Sequence, residues 1–198
     1  MKALNGYNEV KASTGEYARL PAGGYVCKIT KVEDVPAKEY LRVSFDIYEG
    51  EYRGWYRDQR EDLEERGFNA SYIGTVIRSY KDSALGFFKA FIAAVDESNG
   101  TQFGPTVENG LDEQKLTGCL IGFVISYEEY QKNNGNIGQR ERVVYQKSVQ
   151  KIRDGDFKVP DLKRLNGSSS GSGFSAPVAP AASSELFMLD DDDSDFPF

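Results

Sequence analysis

Apolar and polar residues alternate most cleanly over residues 40–48. Leu41, Val43, Phe45 and Ile47 fall on one face, and Tyr40, Arg42, Ser44, Asp46 and Tyr48 on the other. Side chains two apart share a face of a strand, so this segment reads as a half-buried strand with a polar, aromatic-bearing outer face. Residues 25–32 carry the same signal, with Tyr25, Cys27 and Ile29 alternating with Lys28 and Thr30. Pro36 marks a turn between the two. After a turn at Glu49-Gly50-Glu51, residues 52–57 read as a strand pairing back in a hairpin. Residues 61–66 are charged and read as a short helix or a loop. Residues 72–81 are strand-like, with Val76, Arg78 and Tyr80 on one side and Ile77 on the other.

Residues 83–97 switch to a helical period. Leu85, Phe88, Ile92 and Val95 recur at helical spacing, and Ala84 and Phe91 widen the stripe. Asp82 or Ser83 is placed to cap the first amides, and Asn99-Gly100 to stop the helix. Residues 116–127 are apolar on both faces, which predicts a central strand. A polar hairpin loop over 128–139 and a last strand over 140–152 follow, the latter with Val143, Tyr145 and Val149 on one face. Residues 1–22 show little pattern, with Tyr17 and Leu20 as the residues able to dock. The order predicts an all-β domain with one helix: an OB-fold, a five-stranded antiparallel barrel with the helix between the third and fourth barrel strands. A small α+β sheet packed on one helix is the alternative.

Composition changes the picture at the C-terminal end. Residues 166–184 are mostly Ser, Gly, Ala and Pro, too little apolar surface to offset ordering, and read as a flexible linker. Residues 185–198 carry six acids and no base, and the whole chain has a net charge of −7. The expected division is therefore a domain over 1–165, a linker over 166–184 and an acidic tip over 185–198. The near-neutral domain, rather than the pI, is what a polyanion would meet.

Absent residue types exclude several chemistries. There is no histidine, so no Ser-His-Asp or Cys-His nucleophile and no His-ligated zinc. Cys27 and Cys119 form no CxxC pair. No phosphate-binding glycine loop or dinucleotide fingerprint is present. Asp58, Glu61, Asp62, Glu64 and Glu65 would suit Mg²⁺, but such runs are usually a solvated helix face. The reading is a non-enzyme with no catalytic residues, metal or other cofactor. Without a secretory pattern or a long apolar run, a cytoplasmic protein that does not enter membranes is expected.

The tip is Asp190-Asp191-Asp192-Asp193-Ser194-Asp195-Phe196-Pro197-Phe198. A solubilising tail explains the acids but not the apolar end. A terminal ring with its α-carboxylate suits a small pocket rimmed by cations on a partner protein. The tip, after its Gly/Pro/Ser-rich linker, resembles the C-terminal peptide of bacterial and phage single-stranded-DNA-binding proteins, although Phe196 stands where the bacterial pattern usually has Ile. Gly24-Tyr25-Val26, Glu49-Gly50-Glu51-Tyr52 and Arg78-Ser79-Tyr80-Lys81-Asp82-Ser83-Ala84-Leu85-Gly86-Phe87-Phe88 are similar to stretches of the phage branch. The resemblance implies sequence-nonspecific single-stranded-DNA binding and protection in phage replication, recombination and repair. It also implies that residues 190–193, 195 and 196–198 recruit replication or recombination proteins. The expected state is a monomer or small homo-oligomer in the host cytoplasm.

Such binding needs cations for phosphates and flat rings for bases. The candidates are Tyr40, Arg42, Arg53, Trp55, Tyr56, Arg57, Arg78, Tyr80, Lys81, Arg142, Tyr145 and Lys147, aromatics interleaved with bases. Tyr40 and Arg42 are best placed, opposite the core face. Trp55 equally suits hairpin packing, Tyr80 stands near the helix start, and Tyr145 shares a face with Val143. A tethered polyanion competes with DNA for the same cations. Deleting residues 185–198 is therefore expected to tighten DNA binding, most at low salt. Two alternatives remain: an annealing or recombination mediator, and an adaptor that does not bind DNA and uses the tail as a docking peptide.

Overall fold

The computed structural model describes residues 19–132 and 134–165. The linker, the acidic tip and Tyr17 lie outside the described residues. Five strands form one antiparallel sheet: β1 (Gly23–Val35), β2 (Tyr40–Ile47), β3 (Thr75–Ser79), β4 (Leu120–Gln131) and β5 (Ile137–Lys147). Their spatial order is β3-β2-β1-β4-β5. The sheet is open, because β3 and β5 are its two edges and do not pair. The barrel closure read from the sequence is thus not made. β3 has only five residues. The helix α2 (Leu85–Asn99) packs on β3, β4 and β5, covering the apolar face a closing ladder would bury.

Cys27, Ile29, Val43, Phe45, Phe91, Ile121, Phe123 and Ile125 form the centre of the core, each at most 2 % exposed. The alternation over 40–48 holds, with Leu41, Val43, Phe45 and Ile47 all inward. In β1 the phase breaks once. Ile29 pairs with Phe45 and Lys31 with Ser44, so Thr30 is an extra residue in a β-bulge. The bulge turns both Thr30 and Lys31 outward and returns Val32 to the core. Leu20 docks as expected, fully buried, and Tyr127 donates its hydroxyl proton to the Leu20 carbonyl.

The single-helix expectation is corrected. Trp55–Glu65, whose start was read as a hairpin strand, is an α-helix, α1. The Asp46 carboxylate accepts the Tyr56 amide at 3.0 Å, fixing the entry of that helix. Gly54 at φ 84 supplies the left-handed turn before it. The last strand ends at Lys147, and α3 (Val149–Arg153) follows. Gly122 leaves room for α3, since a Cβ there would stand 2.3 Å from Ile152 Cγ1. Neither Asp82 nor Ser83 caps α2 with a side chain, because the chain enters through a 3-10 turn, Asp82–Ala84. Gly100, at φ 65, does stop α2. Leu85 does not join the core stripe and is 46 % exposed.

Residues 154–165 form a strap over β4 and β5. Phe157 packs in a second small cluster with Val26, Val124, Val149 and Ile152. Lys163 then pairs with Glu128 in parallel, on the β4 edge beyond the start of β1. No helix among the described residues is long and apolar enough to cross a membrane.

Candidate nucleic-acid interface

The outward face of β1, β2 and β3 gathers cations and rings. Cross-strand pairing sets Lys31 opposite Ser44, Glu33 opposite Arg42, and Val35 and Ser79 on either side of Tyr40. Tyr40 and Arg42 are half-buried on this face, as the alternation predicts. Arg42 Nη1 lies 3.7 Å from the Glu33 carboxylate, which also accepts from Lys31 Nζ at 2.5 Å. Those contacts hold the Glu33 carboxyl below the usual carboxylate range, with the Lys31 hydrogen bond as the main cause.

At the far end of β2 stands Tyr48, 39 % exposed. Lys28 Nζ lies 5.8 Å and the Arg53 guanidinium 5.7 Å from its ring centre. Neither Lys28 nor Arg53 is in a salt bridge among the described residues. Arg53 was a sequence candidate; Lys28 and Tyr48 were not. Their signal was available, since Tyr48 continues the outward alternation of β2 and Lys28 opposes Cys27. Arg60 also reaches this face, beside a groove with Lys31, Arg42 and Ser71. No sequence signal marks it, because the polar stretch around it reads as a short helix or a loop only from Glu61 onward, whereas α1 begins at Trp55.

Several other candidates face elsewhere. Tyr56 is 5 % exposed, stacks edge-on against Phe45 and donates to Glu141 Oε2 at 2.9 Å. Trp55 packs on the core beside Tyr52, and its indole Nε1 is buried without a partner. Arg78 points inward from β3, its guanidinium 5.6 Å from the Phe91 ring centre and 5.5 Å from that of Phe123. Burial pulls its pKa down to about 10. Its Nε and Nη2 have no hydrogen-bond partner. Tyr80 packs on Phe88 and donates to Asp34 Oδ1 at 2.8 Å, which pushes its pKa up to about 12. Tyr56 and Arg78 are thus turned into the interior, on Phe45 and Glu141 and on Phe91 and Phe123, and do not share the outward face of Tyr40. Trp55 and Tyr80 are half-buried and engaged by Tyr52 and by Phe88 and Asp34.

The remaining candidates divide. Arg57 is exposed and engaged with acids of its own helix, Asp58 at 2.8 Å and Glu61 at 4.0 Å. Lys81 is exposed at the entry to the 3-10 turn. Arg142, Tyr145 and Lys147 lie on β5, apart from the Tyr40 face. Arg142 is 3.6 Å from Glu128, and Lys147 is 3.5 Å from Asp156 of the strap. The Tyr145 hydroxyl donates to the Lys158 carbonyl and accepts the Lys158 amide. Tyr145 and Lys147, with Asp156, Phe157 and Lys158, line a cleft of about 400 Å³ between β5 and the strap.

The assembled face carries rings at its two ends, cations between, and hydroxyls from Thr30, Ser44 and Thr75. No group of three or more metal-ligating side chains occurs among the described residues. No protein-family model matches the chain. No curated protein matches it either.

Proposed function

We propose that the chain binds single-stranded DNA without sequence preference, protecting it during phage replication, recombination and repair, and catalyses no reaction on it. The observation carrying this reading is the outer face of β1 and β2, where Tyr40 and Tyr48 stand among Arg42, Lys28 and Arg53. Rings offer stacking to any base, and cations offer charge to any phosphate, which is the requirement for sequence-tolerant binding. The strand order β3-β2-β1-β4-β5, with α2 between β3 and β4, supports an OB-fold opened between its third and fifth strands. In that fold the second and third strands carry the binding face, where Tyr40 and Arg42 sit.

Residues 185–198 add the partner function. Their acids compete for the same cations, and DNA displaces them, freeing Phe196, Pro197 and Phe198 to recruit replication or recombination proteins. The protein works in the host cytoplasm as a monomer or small homo-oligomer.

The test is fluorescence anisotropy of labelled oligo-dT and a matched duplex, with the full chain and a 1–165 truncation, at low and moderate salt. Preference for oligo-dT, and tighter binding by the truncation at low salt, are expected. No binding by either form would leave a docking adaptor. Binding joined to strand pairing in an annealing assay would shift the reading to a recombination mediator.

A further inference from the structure

Beside Arg42 lies a groove of about 310 Å³. Lys31, Arg42 and Arg60 bring three cations to it, Thr30, Ser44 and Ser71 bring hydroxyls, and Glu33 is the only carboxylate of its lining. The bulge in β1 is what builds it. A regular strand would have turned either Thr30 or Lys31 inward; the extra residue turns both out, with Lys31 opposite Ser44. Arg60 comes from α1 and is anchored by one bond, Nη1 to the Ile73 carbonyl at 3.3 Å.

Glu33 takes two of these cations at once. Its Oε1 accepts from Lys31 at 2.5 Å, and its Oε2 stands 3.7 Å from Arg42. Lys31, Glu33 and Arg42 side chains are all 40 % or more exposed, so the triad can rearrange without unpacking the core. Two charged oxygens between two cations reproduce what a phosphodiester offers.

We infer that this groove is a phosphodiester subsite, and that Glu33 holds Lys31 and Arg42 in the free protein and yields them to a phosphate of the bound strand. This rests on the single-strand reading above. Glu33 then acts as a built-in competitor: it lowers affinity while keeping the cations in place. Arg60, which has no such carboxylate partner among the described residues, contributes its charge throughout.

The experiment is oligo-dT anisotropy over a salt series with the full chain, comparing wild type, Glu33→Gln, Arg60→Ala and Lys151→Ala. Lys151 pairs with Glu97, outside the groove, and serves as the control cation. Glu33→Gln is expected to bind about threefold or more tightly at low salt, since a screened surface charge is being removed. Arg60→Ala is expected to bind several-fold more weakly, with a slope of log K against log salt shallower by about 0.7, one phosphate contact on a single strand. Lys151→Ala should leave the slope unchanged.

Loss of fold cannot tighten binding, so the Glu33→Gln gain distinguishes the subsite from a structural role. Wild-type affinity in Glu33→Gln, or an Arg60→Ala slope equal to that of wild type or of Lys151→Ala, overturns the subsite and leaves single-strand binding standing. Failure of the wild-type chain to bind oligo-dT overturns both.

Discussion

The Tyr56 hydroxyl donates to Glu141 Oε2 at 2.9 Å, joining α1 to β5 across the inner face of the sheet. Burial pushes the Glu141 carboxyl above its ordinary pKa, although Tyr56, the Leu20 amide and Arg19 pull the other way. An acid with a raised folded pKa favours folding in its protonated form. That stability is fully present below the unfolded carboxyl pKa and is lost as pH rises through the folded one. Glu141→Gln keeps an acceptor for Tyr56 and removes the ionisation. Its melting temperature is expected to match wild type in acid and to exceed it by a few degrees at pH 8, as thermal unfolding at the two pH values would show. A variant less stable than wild type at pH 8 would mean that the carboxylate's attractive contacts outweigh its desolvation.

Arg78 places a cation among Phe91 and Phe123 with two of its nitrogens unpartnered. A buried charge without a partner is costly, and an apolar residue of similar length often does better. Arg78→Met is expected to raise stability by about 1–3 kcal/mol in urea unfolding and to leave oligo-dT affinity unchanged. Weaker DNA binding by a stable Arg78→Met protein would return this residue to the interface.

Tyr40 and Tyr48 should separate from Tyr145 by what they affect. Each stacked base is worth roughly 1–3 kcal/mol by alanine substitution, so Tyr40→Ala and Tyr48→Ala should each weaken oligo-dT binding about fivefold or more. Tyr145→Ala removes both hydrogen bonds to Lys158. Its expected effect is faster proteolysis of the strap with DNA affinity retained. Anisotropy and limited proteolysis on the same three variants decide it.

Gly122 tests how firmly α3 is seated. A Cβ there would meet Ile152 at 2.3 Å and the Lys147 carbonyl oxygen at 2.9 Å, and the backbone contact cannot swing aside. Gly122→Ala should cost about 1–3 kcal/mol by overpacking, read as a lower urea midpoint. Gly24→Ala has its three nearest atoms all in the Phe157 ring, the first at 2.5 Å. It should loosen the strap more than it lowers global stability, which amide hydrogen exchange across 154–165 would report.

What was legible in the sequence tracks how local the cause is. The alternation of Leu41, Val43, Phe45 and Ile47 needs only its own strand, and it gave the core face and put Tyr40 and Arg42 outside. The helical stripe of Phe88, Phe91, Ile92 and Val95 is equally self-contained. Trp55 and Tyr56 read as strand because they are aromatic and β-prone, yet here they start a helix whose entry is fixed by Asp46, ten positions before Tyr56 in the chain. Arg78 alternates with Ile77 as a surface cation would, yet its direction is set by pairing with Leu41 on a buried face. The Tyr145 contacts depend on a strap that shows no periodic pattern at all.

The bulge at Thr30 has a bearing on which changes of length the chain tolerates. Everything before it in β1 is in phase with Ile29, and everything after it with Val32. Substituting Thr30 alters one exposed side chain. Deleting it would leave β1 a single unbroken register, in which Ile29 and Val32 stand two positions apart and both still face the core. Lys31 would remain opposite Ser44, and only the second outward side chain beside it would be lost. The core should therefore tolerate loss of this residue as well as its replacement, so that the bulge serves the outer face of the strand and not its interior.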